Sequence, residues 1–291
     1  MIRGVNAANS AIASNKQGKK MYIGLPQWQH PTWNKLGIKD LADYSRHFNC
    51  VEGNTTFYAL PRLEIVQRWR DMTPETFRFC FKFPATISHQ AALRDCDKDL
   101  QTFYQCLAPL HDRIGQLWLQ LPAAFGPNEL NHLWQFIDKL PAGFHYGVEV
   151  RHPAFFAKGE AERALNQGLH RRAVNRVMLD SRPIHAAKPL TAAVRDAQSK
   201  KPRLPVHAIV TGSQPFVRFI GGDQLADNLA LFSPWLHKLP LWEQQYQPYV
   251  FIHTPDNSDS PQQAQKIWQQ LAAVIPALPP PPDWPEQDAL F

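Results

Sequence analysis

Short apolar runs recur along the chain at Tyr22–Leu25, Cys50–Asn54, Phe77–Phe83, Gln116–Leu121, Tyr146–Val150, Val177–Asp180, Val217–Ile220 and Tyr249–His253. These are eight candidate strands. Between most of them lies an amphipathic segment of helical length: Lys39–His47, Leu63–Asp71, Lys98–Leu107, Glu129–Leu140, Glu160–Arg171 and Pro261–Val274. In the last, Ala264, Ile267, Trp268, Leu271 and Val274 recur at the spacing of one buried helical face. Asn128 is the expected N-cap of the fourth helix, and Ser260 with Pro261 forms a cap followed by proline at the first helical position.

Strands alternating with helices imply parallel βαβ units. Eight such units in roughly 250 residues fit an α/β fold of the TIM-type (β/α)8 barrel better than an open doubly wound sheet. We therefore expect one barrel domain over residues 21–276. No Gly-rich dinucleotide fingerprint or P-loop follows any strand, which argues against those cofactor sites. One connection departs from the rhythm. Ser181–Gln214, between strands six and seven, is too long for a simple crossover and predicts an inserted basic loop or a short extra helix.

Composition sharpens this picture in four places. The 291 residues include 26 prolines but only 14 glycines, so prolines punctuate many short elements. Pro26, Pro84, Pro122, Pro153, Pro183 and Pro255 each sit just after an expected strand and predict rigid rim loops. No run of about 18 apolar residues exists, which excludes a transmembrane helix. The four cysteines, Cys50, Cys80, Cys96 and Cys106, show neither zinc nor redox spacing. They read as thiols of a reducing, cytoplasmic protein. Residues 1–20 lack the apolar core of a signal peptide and predict a flexible basic leader, and 277–291 a Pro-rich acidic tail.

The net charge of +6 is unevenly distributed. From Arg151 to Arg203 twelve Lys and Arg residues face only Glu160, Glu162, Asp180 and Asp196, a local excess of eight. A solvated surface is the ordinary reading of such a block; a phosphate-bearing or nucleic-acid partner is the functional one.

Strand parity points to chemistry. Side chains alternate between the two faces of a strand, so a polar residue inside an apolar run marks the face that does not meet the helices. By that rule Glu52 with Asn54, Lys82, Gln120, Glu149 with Arg151, Asp180, Arg218 and His253 all converge on the C-terminal mouth of the barrel, where this architecture places its sites. Burying so many charges without pairing or function costs several kcal/mol each, on the order of the penalty for any desolvated ion. The mixture of signs suits a polar, phosphorylated or polyhydroxylated small molecule. The cations are candidate phosphate or carboxylate clamps, and Glu52 and Glu149 the candidate general acid and base.

Six segments carry a family resemblance: I-G-L-P-Q-W (23–28), F-N-C-V-E-G-N-T-T-F-Y-A-L-P (48–61), F-C-F-K-F-P-A-T-I-S-H (79–89), W-L-Q-L-P (118–122), G-V-E-V-R-H-P (147–153) and L-D-S-R-P (179–183). Over roughly residues 21–255 the chain resembles the YecE family of bacterial and archaeal proteins. The resemblance implies a TIM-type barrel and no established activity. Its E-x-N-x-[ST]-F-Y pattern falls on Glu52, Asn54, Thr56, Phe57 and Tyr58, and its other segments on Lys82, His89, Gln120, Glu149, Arg151 and His152. Many relatives carry an R-x-H-G-like motif after strand seven and an Asn pair near strand eight. This chain instead reads Arg218-Phe219-Ile220-Gly221-Gly222 and His253-Thr254-Pro255-Asp256-Asn257.

Three readings follow. The first is an enzyme acting on a phosphorylated or polyhydroxylated small molecule without an organic cofactor. The second is nucleic-acid binding or phosphodiester processing beside the 151–203 stretch, in which Glu52, Glu149, Asp180, His152, His185 and His253 are the candidate ligands of a divalent metal; no spacing ties them together. The third is a ligand sensor without turnover. Trp28, Trp33, His30 and the Phe57-Tyr58 pair are candidate pocket walls.

Overall fold

A run of apolar residues long enough for a strand, followed by an amphipathic helix, can bury both elements only by laying the helix across the sheet. Here the unit repeats until the sheet closes. The computed structural model describes residues 21–281, 283 and 284. The strands are β1 (Tyr22–Leu25), β2 (Cys50–Gly53), β3 (Arg78–Lys82), β4 (Ile114–Gln120), β5 (Tyr146–Glu149), β6 (Asn175–Asp180), β7 (Phe216–Ile220) and β8 (Tyr249–His253). They form a closed parallel barrel in sequence order, with β8 pairing back onto β1 through Tyr22 and Tyr249. All eight expected strands are present, with ends displaced by no more than two residues.

The helices are α1 (Leu41–His47), α2 (Thr55–Tyr58), α3 (Leu63–Asp71), α4 (Asp97–Leu107), α5 (Leu130–Asp138), α6 (Glu160–Arg171), α7 (Arg182–Ala186), α8 (Ala192–Lys200), α9 (Leu225–Glu243) and α10 (Ser260–Val274). Three local expectations are corrected. Gly126, not Asn128, caps the turn Pro127–Glu129 that leads into α5, and the Glu129 carboxylate accepts the Gly126 N–H. At α10 the helix already includes Ser260, whose hydroxyl instead accepts the N–H of Thr254. The 19-residue α9 was not expected at all. It carries Pro234 and Pro240 within it, which read as breaks in the sequence, yet Phe232, Trp235 and Leu239 bury one face.

The outward strand residues and the helices form the main core, which includes Phe79, Phe81, Leu117, Leu119, Val217 and Ile252. Inside the barrel Tyr22, Cys50, Cys80, Trp118, Val177, Phe216, Tyr249 and Phe251 fill the lumen. It is a packed interior rather than a pore. Below, Gln116 and Asn175 satisfy one another and the Gln214 carbonyl. Gly24 is required where β1 passes β2, since a Cβ there would lie 2.2 Å from the Cys50 carbonyl oxygen.

The inserted connection is α7, α8 and an irregular return strap. A third apolar cluster joins Ile184 of α7 and Val194 and Ala197 of α8 to Leu179 and Ile220, the uppermost inward positions of β6 and β7. The insertion thereby roofs one side of the mouth. Its return strap is pinned by His207 to Glu162 of α6, by Thr211 to the Val174 carbonyl at 2.6 Å, and by Gln214 N–H to Asn175.

Of the four cysteines, Cys50, Cys80 and Cys96 are buried. Among the described residues no helix is long and apolar enough to cross a membrane. The expected leader, 1–20, lies outside the described residues, as does most of 282–291. Within the expected tail, Leu278 is buried and Trp284 packs on His47.

Candidate functional site

The alternation that fills the lumen also decides what lines its top. On β2, Cys50 points inward, so Glu52 does too; on β3 the same holds for Cys80 and Lys82, and on β4 for Trp118 and Gln120. β5 contributes Glu149, β7 Arg218 and β8 His253, and all six of these polar residues are buried.

Arg218 is the hub. It donates to Glu52 from Nε (2.8 Å to Oε2) and Nη2 (2.7 Å to Oε1), and from Nη1 to Glu149 Oε2 at 2.7 Å. The guanidinium lies over Trp118, its Cζ 4.6 Å from the ring centroid. Asn54 donates to Glu52 Oε1 at 2.8 Å and to the Pro26 carbonyl, tying the first two rim loops together. His253 Nε2 stands 3.2 Å from Glu52 Oε2. Arg151 donates from Nε to Glu149 Oε1 (2.9 Å) and from Nη2 to Gln120 Oε1 (2.8 Å). The same Gln120 oxygen accepts from Lys82 Nζ at 2.9 Å. The Lys82 ammonium also sits 3.5 Å from the centroid of Phe57.

These contacts set the protonation states. Burial pushes both carboxyls up, but Arg218 and His253 hold Glu52 well below its usual range. Arg218, Arg151 and Lys82 likewise bring Glu149 to about 2. Burial and the neighbouring Arg218 lower Lys82 to about 7. Burial also lowers His253, to about 4 against the pull of Glu52. At neutral pH this imidazole is neutral, and because Glu52 is ionised, Nε2 must carry the proton.

The remaining expected residues divide. Thr56 is buried and donates to the Lys82 carbonyl at 2.6 Å, fixing the end of β3 rather than facing the mouth. His89 packs edge-on to Phe57, and burial together with Lys82 and Arg151 lowers its pKa. His152 caps the turn Pro153–Phe156 by accepting the Ala154 N–H. Tyr58 is largely exposed at the rim of a cleft beside Glu52 and Asn54. Trp33 is fully buried and donates to the Asn257 and Ser258 carbonyls, whereas Trp28 lines that cleft.

Asp180 is a correction. It lies on the outward face of β6, where it accepts from Arg182 Nη2 (2.6 Å) and from Trp235 Nε1 (2.8 Å) of α9. The inward position is Leu179, covered by the insertion. The charge in that sector comes from Lys201, at the end of α8, which sequence reasoning placed only in the basic block. Lys201 feels Arg218, Glu52, Glu149 and Arg151, and burial with Arg218 lowers it to about 8. Its ammonium has no hydrogen-bond partner among the described residues. The signal for Lys201 is absent from strand parity because an insertion delivers it.

Metal chemistry finds no cluster here: among the described residues no three His, Cys, Asp or Glu side chains converge as a metal site. Both mouth glutamates are bonded to Arg218, while Asp180 faces the helices.

The model of proteins of unknown function DUF72 matches residues 22–287. The chain is a member of the DUF72 family. It is 59% identical to the UPF0759 protein YecE of Escherichia coli (strain K12) over 93% of its own length and 100% of that protein, and 58% identical to the YecE protein of Escherichia coli O157:H7. Two solved DUF72 structures share its fold at low identity. That from Enterococcus faecalis V583 superposes with a TM-score of 0.66 at 17% identity, covering 88% of this chain and 95% of the other. That from Thermotoga maritima gives 0.61 at 16%, covering 84% and 96%. The DUF72 barrel is thus the expected TIM-type fold.

Proposed function

We propose that the barrel mouth binds a small polar molecule through an anionic group, phosphate or carboxylate. The observation that carries this reading is a charge imbalance. The buried carboxylates Glu52 and Glu149 face four cations, Arg218, Arg151, Lys82 and Lys201, and both carboxylates are already bonded to Arg218. The lysines are left without a carboxylate of their own. An anion entering between Lys82, Lys201 and Arg151 would neutralise them and offset their desolvation.

In this reading acid–base work falls to the lysine rather than to the two glutamates. Glu52 and Glu149, held ionised, position Arg218; Lys82, at about 7, exchanges a proton at neutral pH. The same mouth serves capture without turnover if no reacting group is presented to Lys82. Isothermal titration with inorganic phosphate tests the seat: binding accompanied by proton uptake is expected, since an anion raises both lysines, and Lys82→Met should weaken it about tenfold or more. Absence of phosphate, carboxylate and sugar phosphate binding would overturn the reading.

Contact with a nucleic acid is the second reading. It draws on the exposed Lys158, Arg163, Arg171, Lys188, Arg195, Lys200 and Arg203 of the basic stretch. Salt-dependent retention on DNA or RNA is its expected signature, and no retention at low salt would remove it.

A further inference from the structure

Beside the mouth lies a cleft of about 310 Å3 whose lining includes Trp28, Tyr58, Gln27, Gln29, Asn54 and Glu52. It runs between the loops that follow β1 and β2, and Glu52 is common to both spaces. Trp28 is half-buried and braced edge-on by Trp69, with ring centroids 5.0 Å apart. Tyr58, 84% exposed, is held upright by a perpendicular contact with Phe57. Phe57 in turn supports the Lys82 ammonium. Trp28 and Tyr58 thus set two braced aromatic rings at one cleft.

Amides surround the aromatics. Asn54 directs its NH2 group to Glu52 and Pro26, and its carbonyl oxygen accepts no hydrogen bond from the described residues. Gln29 is exposed, and Gln27 donates to the Gln29 carbonyl and accepts from Asn257. Aromatic faces receive the weakly positive C–H faces of a pyranose, while amides match hydroxyls as both donors and acceptors. A bare anion would use none of this.

We propose, resting on the anion seat described above, that the Trp28–Tyr58 cleft binds the hydroxylated ring of the same ligand, which makes the ligand class a hexose phosphate. The phosphate lies toward Lys82 and the sugar ring over Trp28, with its hydroxyls on Asn54 and the glutamines.

Titrations of the full chain with inorganic phosphate, glucose 6-phosphate and adenosine monophosphate test this, read by calorimetry and tryptophan fluorescence. Glucose 6-phosphate is expected to bind at least tenfold more tightly than phosphate and to change the fluorescence. Tyr58→Ala, on an exposed side chain, should remove most of that gain and leave phosphate binding unchanged; Trp28→Ala should do the same. Phosphate binding with no gain from the sugar, or a gain that survives Tyr58→Ala and Trp28→Ala, would overturn the sugar assignment and leave the anion seat standing. A gain confined to adenosine monophosphate would replace the sugar by a base. Failure of all three ligands to bind would overturn the anion seat and the sugar assignment together.

Discussion

Arg218 and Glu52, 166 residues apart in sequence, meet across the barrel by two parallel hydrogen bonds of 2.8 and 2.7 Å. Both partners are buried, and the third arm of the guanidinium reaches Glu149. The fork fixes two carboxylates with one cation, so removing Arg218 strands both. Arg218→Met should therefore destabilise the fold by roughly 3–5 kcal/mol, measured by urea unfolding at pH 7. A loss under about 1 kcal/mol would mean that Arg151, Lys82 and Lys201 suffice to hold the carboxylates.

The same pairing predicts acid sensitivity. Glu149 titrates near 2 when folded, below its ordinary 4.5, so the unfolded chain takes up the proton first as pH falls. Its stabilisation is complete above about pH 5, declines toward pH 2, and is on the order of 3 kcal/mol. Unfolding followed from pH 6 to pH 2 checks this, and Glu149→Gln should flatten part of the decline.

Lys82 predicts a second rise of stability with pH, at higher pH. The unfolded chain keeps its lysine proton up to about 10.5, whereas the folded lysine releases it near 7. Across that window the unfolded state binds more protons, so stability rises with pH. Lys201, lowered to about 8, acts in the same direction. Lys82→Met should raise stability at pH 6 and shrink the rise between pH 7 and 10. An unchanged slope would mean that Lys82 is protonated throughout.

Glu162 predicts a link between the outer surface and the mouth. It accepts from Arg176 at 3.1 Å and from His207, and so anchors the strap that follows Lys201. Glu162→Ala leaves Arg176 buried and without its carboxylate, at a cost of about 3 kcal/mol. Phosphate affinity should fall as well, because the strap into which Lys201 leads is released. Retained affinity in the folded variant would show that Lys201 is placed by α8 alone.

Gly24→Ala should be worse than an ordinary core substitution. Its Cβ would lie 2.2 Å from a backbone oxygen of β2, which cannot rotate aside. A loss of at least about 3 kcal/mol is expected from overpacking against the main chain. Tolerance within about 1 kcal/mol would place the strands further apart than described.

Much of this molecule was readable from the chain because a barrel converts sequence into position by a rule of two. Once Cys80 faces inward, Lys82 must, and the same parity carries Glu52, Gln120, Glu149, Arg218 and His253 to one layer. The rule failed on β6 because both of its faces are buried. Leu179 and Asp180 are each enclosed, one by the insertion and one by α9, so polarity no longer marks the lumen face. Lys201 was invisible for a different reason: its position depends on how α7 and α8 pack, which no local pattern encodes. α9 escaped because Pro234 and Pro240 look like stops, yet tertiary burial of Trp235 and Leu239 outweighs two missing backbone donors. The protonation states were also out of reach. Two glutamates in one mouth look like an acid–base pair until a single arginine is found bonded to both.

The small apolar cluster over β6 and β7 has a consequence for shape. With Ile184, Val194 and Ala197 sealed onto Leu179 and Ile220, the mouth is walled on that side, while the loops after β1 and β2 leave the other side to the Trp28–Tyr58 cleft. The rim is therefore lopsided: one flank is hydrocarbon packed against hydrocarbon, the other an indentation bordered by aromatic rings and amides.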